Sequence, residues 1–185
     1  MNLTSFSNKC HQEAKAKGWW EKPRTTSDLL MLVITELAEA TEEVRNKKPE
    51  VYFNTPTGIV TGQDLGGSWN LSVGDVPQKP EGEVIEIADA VIRVGDLAGS
   101  EDMDLQQRIN EEKFMWVIPE GKLTAHFEMV QILCDPTYTL TDALAKFCSY
   151  AFAYCEQNEM DLEKAITAKI AYNKTRSHRH GGKAF

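Results

Sequence analysis

The sequence predicts an all-α domain interrupted once by a small irregular or β-hairpin insertion near residues 50–80. Three observations carry that expectation. Apolar residues recur at alternating steps of three and four on both sides of the insertion, which is the helical period. Between residues 49 and 80 that period gives way to short β-like runs punctuated by Gly, Pro, Asn and Asp. The length of 185 residues suits one domain, 1–185, with one good core.

Taken in order, residues 1–18 carry Leu3, Phe6, Cys10 and Ala14 and end in Gly18, a helix followed by a glycine stop. Trp19-Trp20 stand at the turn before Pro23. They serve either as a wall for a nucleobase or as plugs between helices. Thr26-Ser27-Asp28 offers capping chemistry for a helix through Arg45, with Leu30, Val33, Leu37, Ala40 and Val44 as its stripe. In the insertion, residues 51–53, 58–60 and 69–73 are strand-like. A second long helix runs from about 82 to 98 and is apolar over some two-thirds of its circumference, which marks it as central.

Further helices are expected at 106–116, 122–134, 143–156 and 162–175. In the second of these, Leu123, Phe127, Val130 and Leu133 are spaced for one face, with His126 beside it. Asp161 is placed to cap the last, with Ile166 and Ile170 turned inward.

Composition narrows the function. A formal charge of −8 and a pI near 5.1 argue against a general nucleic-acid binder, which would carry a basic stripe. No apolar run approaches the ~18 residues of a membrane span, and the first residues lack the pattern of a signal peptide. The four cysteines show no paired spacing and read as reduced core residues, so a cytoplasmic setting is expected. Neither a P-loop nor a GxGxxG occurs.

The chemistry concentrates in two acidic pairs, Glu36-Leu37-Ala38-Glu39 and Glu86-Ile87-Ala88-Asp89. At about 100° per residue, positions i and i+3 lie on one helix face, so each pair points one way. Convergent carboxylates form a hard, oxygen-only ligand set suited to Mg²⁺, with Mn²⁺ a possible substitute. Glu36, Glu39 and Glu43 flank the core stripe, whereas Glu42 points away. On the second helix Glu86, Asp89, Arg93 and Asp96 form the polar strip. There Arg93 is placed to pair locally with Asp89 and Asp96, which leaves Glu86 without a local cation.

Lys169, Asn173 and Arg176 make one stripe on the last helix, and the tail adds His180, Gly181-Gly182 and Lys183. These are the donors a polyphosphate needs.

With those residues in place, three stretches resemble the all-alpha nucleoside triphosphate pyrophosphohydrolases of the MazG-like branch. They are residues 29–45 (LLMLVITELAEATEEVR), 79–97 (KPEGEVIEIADAVIRVGDL) and 161–183 (DLEKAITAKIAYNKTRSHRHGGK). Residues 15–20 resemble the family's lead-in. The resemblance covers under half the chain. The insertion at 51–80 is longer than in many relatives, and 101–140 matches nothing in the pattern.

The resemblance implies a core bundle of four or five helices, a homodimer or homotetramer, and Mg²⁺-dependent hydrolysis of a nucleotide to its monophosphate and pyrophosphate. It implies that Glu36, Glu39, Glu86 and Asp89 hold the metal and that Lys169, Asn173 and Arg176 contact substrate. Trp20 and Lys183 join the expected substrate contacts, and Glu39, with Glu36, the expected catalytic groups. The alternatives are a related pyrophosphohydrolase of phosphoribosyl-ATP or ppGpp, and a non-enzymatic helical interaction protein.

Overall fold

A computed structural model describes residues 1–179; His180, Gly181, Gly182 and Lys183 lie outside the described residues. Among these there are seven helices: α1 (Leu3–Ala16), α2 (Thr26–Arg45), α3 (Glu83–Ser100), α4 (Leu105–Glu112), α5 (Lys122–Cys134), α6 (Leu140–Gln157) and α7 (Leu162–Thr175). Five short strands, β1 (Tyr52–Thr55), β2 (Gly58–Thr61), β3 (Ser72–Val73), β4 (Val76–Pro77) and β5 (Pro80–Glu81), occupy the insertion. The expected helical core with a small β excursion is therefore observed.

The helix starts follow the chain's own chemistry. Thr25, one residue before the expected cap, accepts from the Asp28 backbone N–H, while the Asp28 side chain accepts from Thr25 N–H. Asp161 caps α7 by accepting from Lys164 N–H. Past the end of α1, Gly18 adopts φ +80°. A Cβ there would also lie 2.0 Å from His178 Nε2, so glycine lets the C-terminal segment close on this turn.

In the insertion β1 pairs antiparallel with both β2 and β5, giving the order β2-β1-β5, while β3 and β4 form a separate small hairpin. Of the expected run at 69–73, Ser72 and Val73 are strand. The β5 pairing ties the excursion to the entrance of α3.

α3 packs against α1, α2, α6 and α7, and most of its side chains are buried. It approaches α1 closely through Gly95 and Gly99. A Cβ on Gly99 would lie 2.4 Å from the Ser7 carbonyl oxygen, and one on Gly95 2.8 Å from Phe6.

The N-terminus of α3 is held by Glu83, whose buried carboxylate accepts from Tyr154 on α6 and from Lys122 on α5 at 2.6 Å. His126 Nε2 lies 3.2 Å from the same carboxylate, and His126 Nδ1 lies 3.0 Å from Thr41 on α2. Burial alone would raise the Glu83 pKa, but bonds from His126, Lys122 and Tyr154 hold it below the usual range.

This network corrects the expected face of α5. Ala125, His126, Met129 and Leu133 are buried, while Leu123 and Phe127 are exposed. Leaving a buried carboxylate without donors costs more than exposing part of two apolar side chains, so α5 rotates to bring Lys122 and His126 to Glu83. The helix expected at 106–116 also stops early, at Glu112, where Lys113 takes a left-handed conformation. Beyond it Phe114, Trp116 and Ile118 turn inward, whereas Met115 and Val117 are each 94% exposed.

Replacing Gly99 with alanine is expected to destabilise the protein. Alanine favours a helix by about 1 kcal/mol over glycine, but overpacking against backbone costs about 1–3 kcal/mol. Urea unfolding should show a lowered midpoint; a raised midpoint would show that α1 gives way freely.

Candidate functional site

The site is built where α2, α3 and α7 meet. Oxygen atoms of Glu36, Glu86 and Asp89 lie within 4.8 Å of one another. α2 supplies Glu36 from the edge of its buried stripe, and α3 supplies the other two one turn apart. Glu36 and Glu86 are buried, and Asp89 is partly exposed.

Such a group of carboxylates needs compensation, and three cations supply it. Arg93 Nε donates to Glu36 Oε1 at 2.6 Å. Lys169 Nζ lies 2.9 Å from Asp89 Oδ2 and 3.5 Å from Glu86 Oε2. Lys79 Nζ lies 3.3 Å from Glu86 Oε1 and 2.6 Å from Glu81 Oε2.

Arg93 thus reaches across to α2, which corrects its expected local pairing with Asp89 and Asp96. Lys169, expected to face substrate, is 0% exposed and lies against the carboxylates. Lys79 arrives from the end of the insertion, next to β5.

The balance is visible in proton affinity. Burial raises the Glu86 pKa to about 8; Lys169 and Lys79 pull it down while Asp89 pushes it up. Burial also raises Glu36, opposed by Arg93 and aided by Asp89 and Glu39. For Lys169 burial favours the neutral amine, but Asp89 and Glu86 outweigh that and hold its pKa above the ordinary value.

Two hollows border the cluster. The first, about 110 Å³, shares Asp89 and Arg93 with it and is walled by Trp19, Ile92 and Ile170. Arg24, Asp96, Asn173, Lys174 and Arg176 bring polar groups to its lining. Asn173 Oδ1 is buried without a hydrogen-bond partner among the described residues.

Asp96 Oδ1 accepts from His11 Nδ1 at 2.9 Å and from Trp20 Nε1 at 2.8 Å. Burial raises the Asp96 pKa, and those two hydrogen bonds oppose the rise. Cys10 also lines this cavity, but burial pushes its thiol far up, so it supplies no thiolate. The second hollow, an open groove of about 300 Å³, shares Glu86 and is lined by Glu39, Glu42, Glu43 and Glu81.

The structure therefore brings together three of the four expected ligands and separates one. Glu39 is exposed and lies on the groove, outside the group of three. Asn173 on α7 and Arg176, the extended residue just past its end, both reach the cavity, so the expected helical stripe stops short of Arg176. Trp20 packs on the core and braces Asp96, whereas its neighbour Trp19 lines the cavity with the Arg24 guanidinium 5.1 Å from its ring centre.

Sequence reading missed Lys79 in the cluster and His11, Arg24 and Asp96 beside the cavity. Asp96 had a usable signal, its place on the polar strip of a buried helix. His11 had none. Compared with family models, with curated proteins and with solved structures, the chain matches none of them.

The raised pKa of Glu86 sets a pH dependence. In the folded state the group binds a proton between its unfolded value, about 4.3, and about 8. The unfolded chain has lost that proton in this window, so the contribution to stability falls as pH rises through it. Urea unfolding of Glu86→Gln in chelator should show a shallower decline from pH 5 to 8 than the native sequence. Equal slopes would assign the decline to other groups.

Proposed function

We propose that the chain is a Mg²⁺-dependent nucleotide pyrophosphohydrolase that converts a nucleoside or deoxynucleoside triphosphate to its monophosphate and pyrophosphate. The observation that carries this reading is that Asp89 of the carboxylate cluster also lines the cavity, together with Arg93, the partner of Glu36. A metal-ligating donor set and a small half-apolar hollow with basic groups at its lining are thereby continuous. The sequence resemblance points to the same reaction.

The residues fit the metal. Glu36, Glu86 and Asp89 offer hard oxygen ligands close enough for one small divalent ion. Burial raises the proton affinities of Glu36 and Glu86 by more than the neighbouring cations lower them. When bound, Mg²⁺ would neutralise phosphate oxygens and polarise a water.

The chain's own groups supply the rest. Arg176 and Lys174 at the cavity attract the phosphates, and Asn173 orients them. Glu39, on the groove beside Glu86, takes a proton from the water as its oxygen bonds to the α-phosphorus. The bridging P–O bond breaks, and pyrophosphate leaves with its electron pair. Lys169 is the internal counter-ion that keeps Glu86 and Asp89 together. We place the reaction in the cytoplasm and assign the chain a homodimeric or homotetrameric state, which sedimentation would measure.

Phosphorus NMR on a nucleotide panel with Mg²⁺ should show a monophosphate and pyrophosphate as paired products. Glu36→Gln and Asp89→Asn should each lower turnover at least about a hundredfold, with circular dichroism unchanged. Phosphoribosyl-ATP or ppGpp as the sole substrate would reassign the enzyme. No turnover and no metal-dependent nucleotide binding would favour a helical interaction protein.

A further inference from the structure

The cavity contains a fixed acceptor that the reaction above does not use. Asp96 has 14% of its side chain exposed, at the cavity, and its orientation is set from behind. His11 and Trp20 both donate to Oδ1, and their rings pack edge to face with centroids 4.8 Å apart. Among the described residues, no hydrogen bond is made to Oδ2. A carboxylate with one oxygen pinned by two donors presents the other as an acceptor in a defined direction.

Asp96 lies seven residues after Asp89 on the same strip of α3, about 10 Å along the helix. A nucleotide with its phosphates at Asp89 and its base toward Trp19 would lie along that strip. The outer edge of the base then meets Asp96.

We propose that this cavity selects a base bearing an exocyclic amino group, cytosine among the pyrimidines, and that Asp96 is the specificity-determining residue that accepts from that amine. The assignment rests on the nucleotide reading above. A cytosine N4 amine donates, whereas uracil and thymine place an O4 acceptor at the same position. Two facing acceptors repel, and a site built for a substrate N–H discriminates strongly against an analogue without it. Adenine carries the same kind of donor at N6, whereas guanine presents an O6 acceptor there.

Asp96→Asn makes the test sharp. The Trp20 indole N–H can only donate, so the new amide must turn its oxygen to it and its NH₂ to the cavity. The presented group changes from acceptor to donor while the bracing stays intact.

Calorimetric titration with CMP and UMP in the presence of Mg²⁺ needs neither a variant nor turnover. Hydrolysis of CTP, UTP, ATP, GTP and their deoxy forms by both proteins completes the set. The native protein should prefer CMP over UMP, and CTP over UTP in kcat/KM by at least about a hundredfold. Asp96→Asn should reverse the sign of that preference.

Hydrolysis with equal use of CTP and UTP, or with GTP preferred over ATP, overturns the assignment and leaves the pyrophosphohydrolase reading standing. A ribose-against-deoxyribose preference that alone changes in Asp96→Asn also overturns it, since Asp96 would then read the sugar. Selective CMP binding without hydrolysis of any nucleotide supports the assignment and removes the hydrolase. Neither binding nor hydrolysis removes both.

Discussion

Glu86 lies in the first turn of a buried helix, and a carboxylate with so little access to water needs either protons or cations. Desolvation of an ion in a protein interior costs several kcal/mol unless pairing and hydrogen bonds offset it. Lys169 from α7 and Lys79 from the end of the insertion both reach it, while Arg93 covers Glu36 on α2. Each of these cations fixes a neighbouring element against α3. The same requirement that makes the cluster expensive therefore also orients the helices around it.

A second buried carboxylate, Glu83, solves the same problem differently. Three donors satisfy it, from Lys122, His126 and Tyr154, and its pKa falls below the usual range. Glu86, one turn later, keeps a raised proton affinity. The contrast separates a carboxylate that is fully bonded from one whose compensation is incomplete. The former pins α5 and α6 to the start of α3. The latter belongs to a group that gains from a further positive charge, and a divalent ion would supply it.

The insertion has a role in this arrangement beyond filling space. Its last strand, β5, pairs with β1 immediately before α3, and Lys79 stands just ahead of that strand. Lys164 on α7 donates to the Gly67 carbonyl oxygen and lies over the Trp69 ring, so the excursion also touches the helix that carries Lys169. A segment that looks like an interruption of a helical domain thus reaches the cluster through Lys79 and touches the helix that carries Lys169.

Much of the molecule was legible from residue spacing. The seven helices follow from apolar period and capping residues, because both act within a few residues of one another. The centrality of α3 followed from its wide apolar arc, and Glu36, Glu86 and Asp89 from their places at core boundaries. Spacing along one helix could not say how far α2 is rotated against α3, and that rotation admits Glu36 and leaves Glu39 on the groove. Nor could it choose between Trp19, which lines the cavity, and Trp20, which packs on the core.

The face of α5 and the partners of Arg93, Lys79 and Lys169 were likewise decided in three dimensions. In each case a buried charge takes its counter-charge from whichever element arrives nearest, however distant in the chain. Local chemistry determined which segments are helices and which residues carry charge into the core. Long-range electrostatics in a poorly solvated interior decided which of those charges meet.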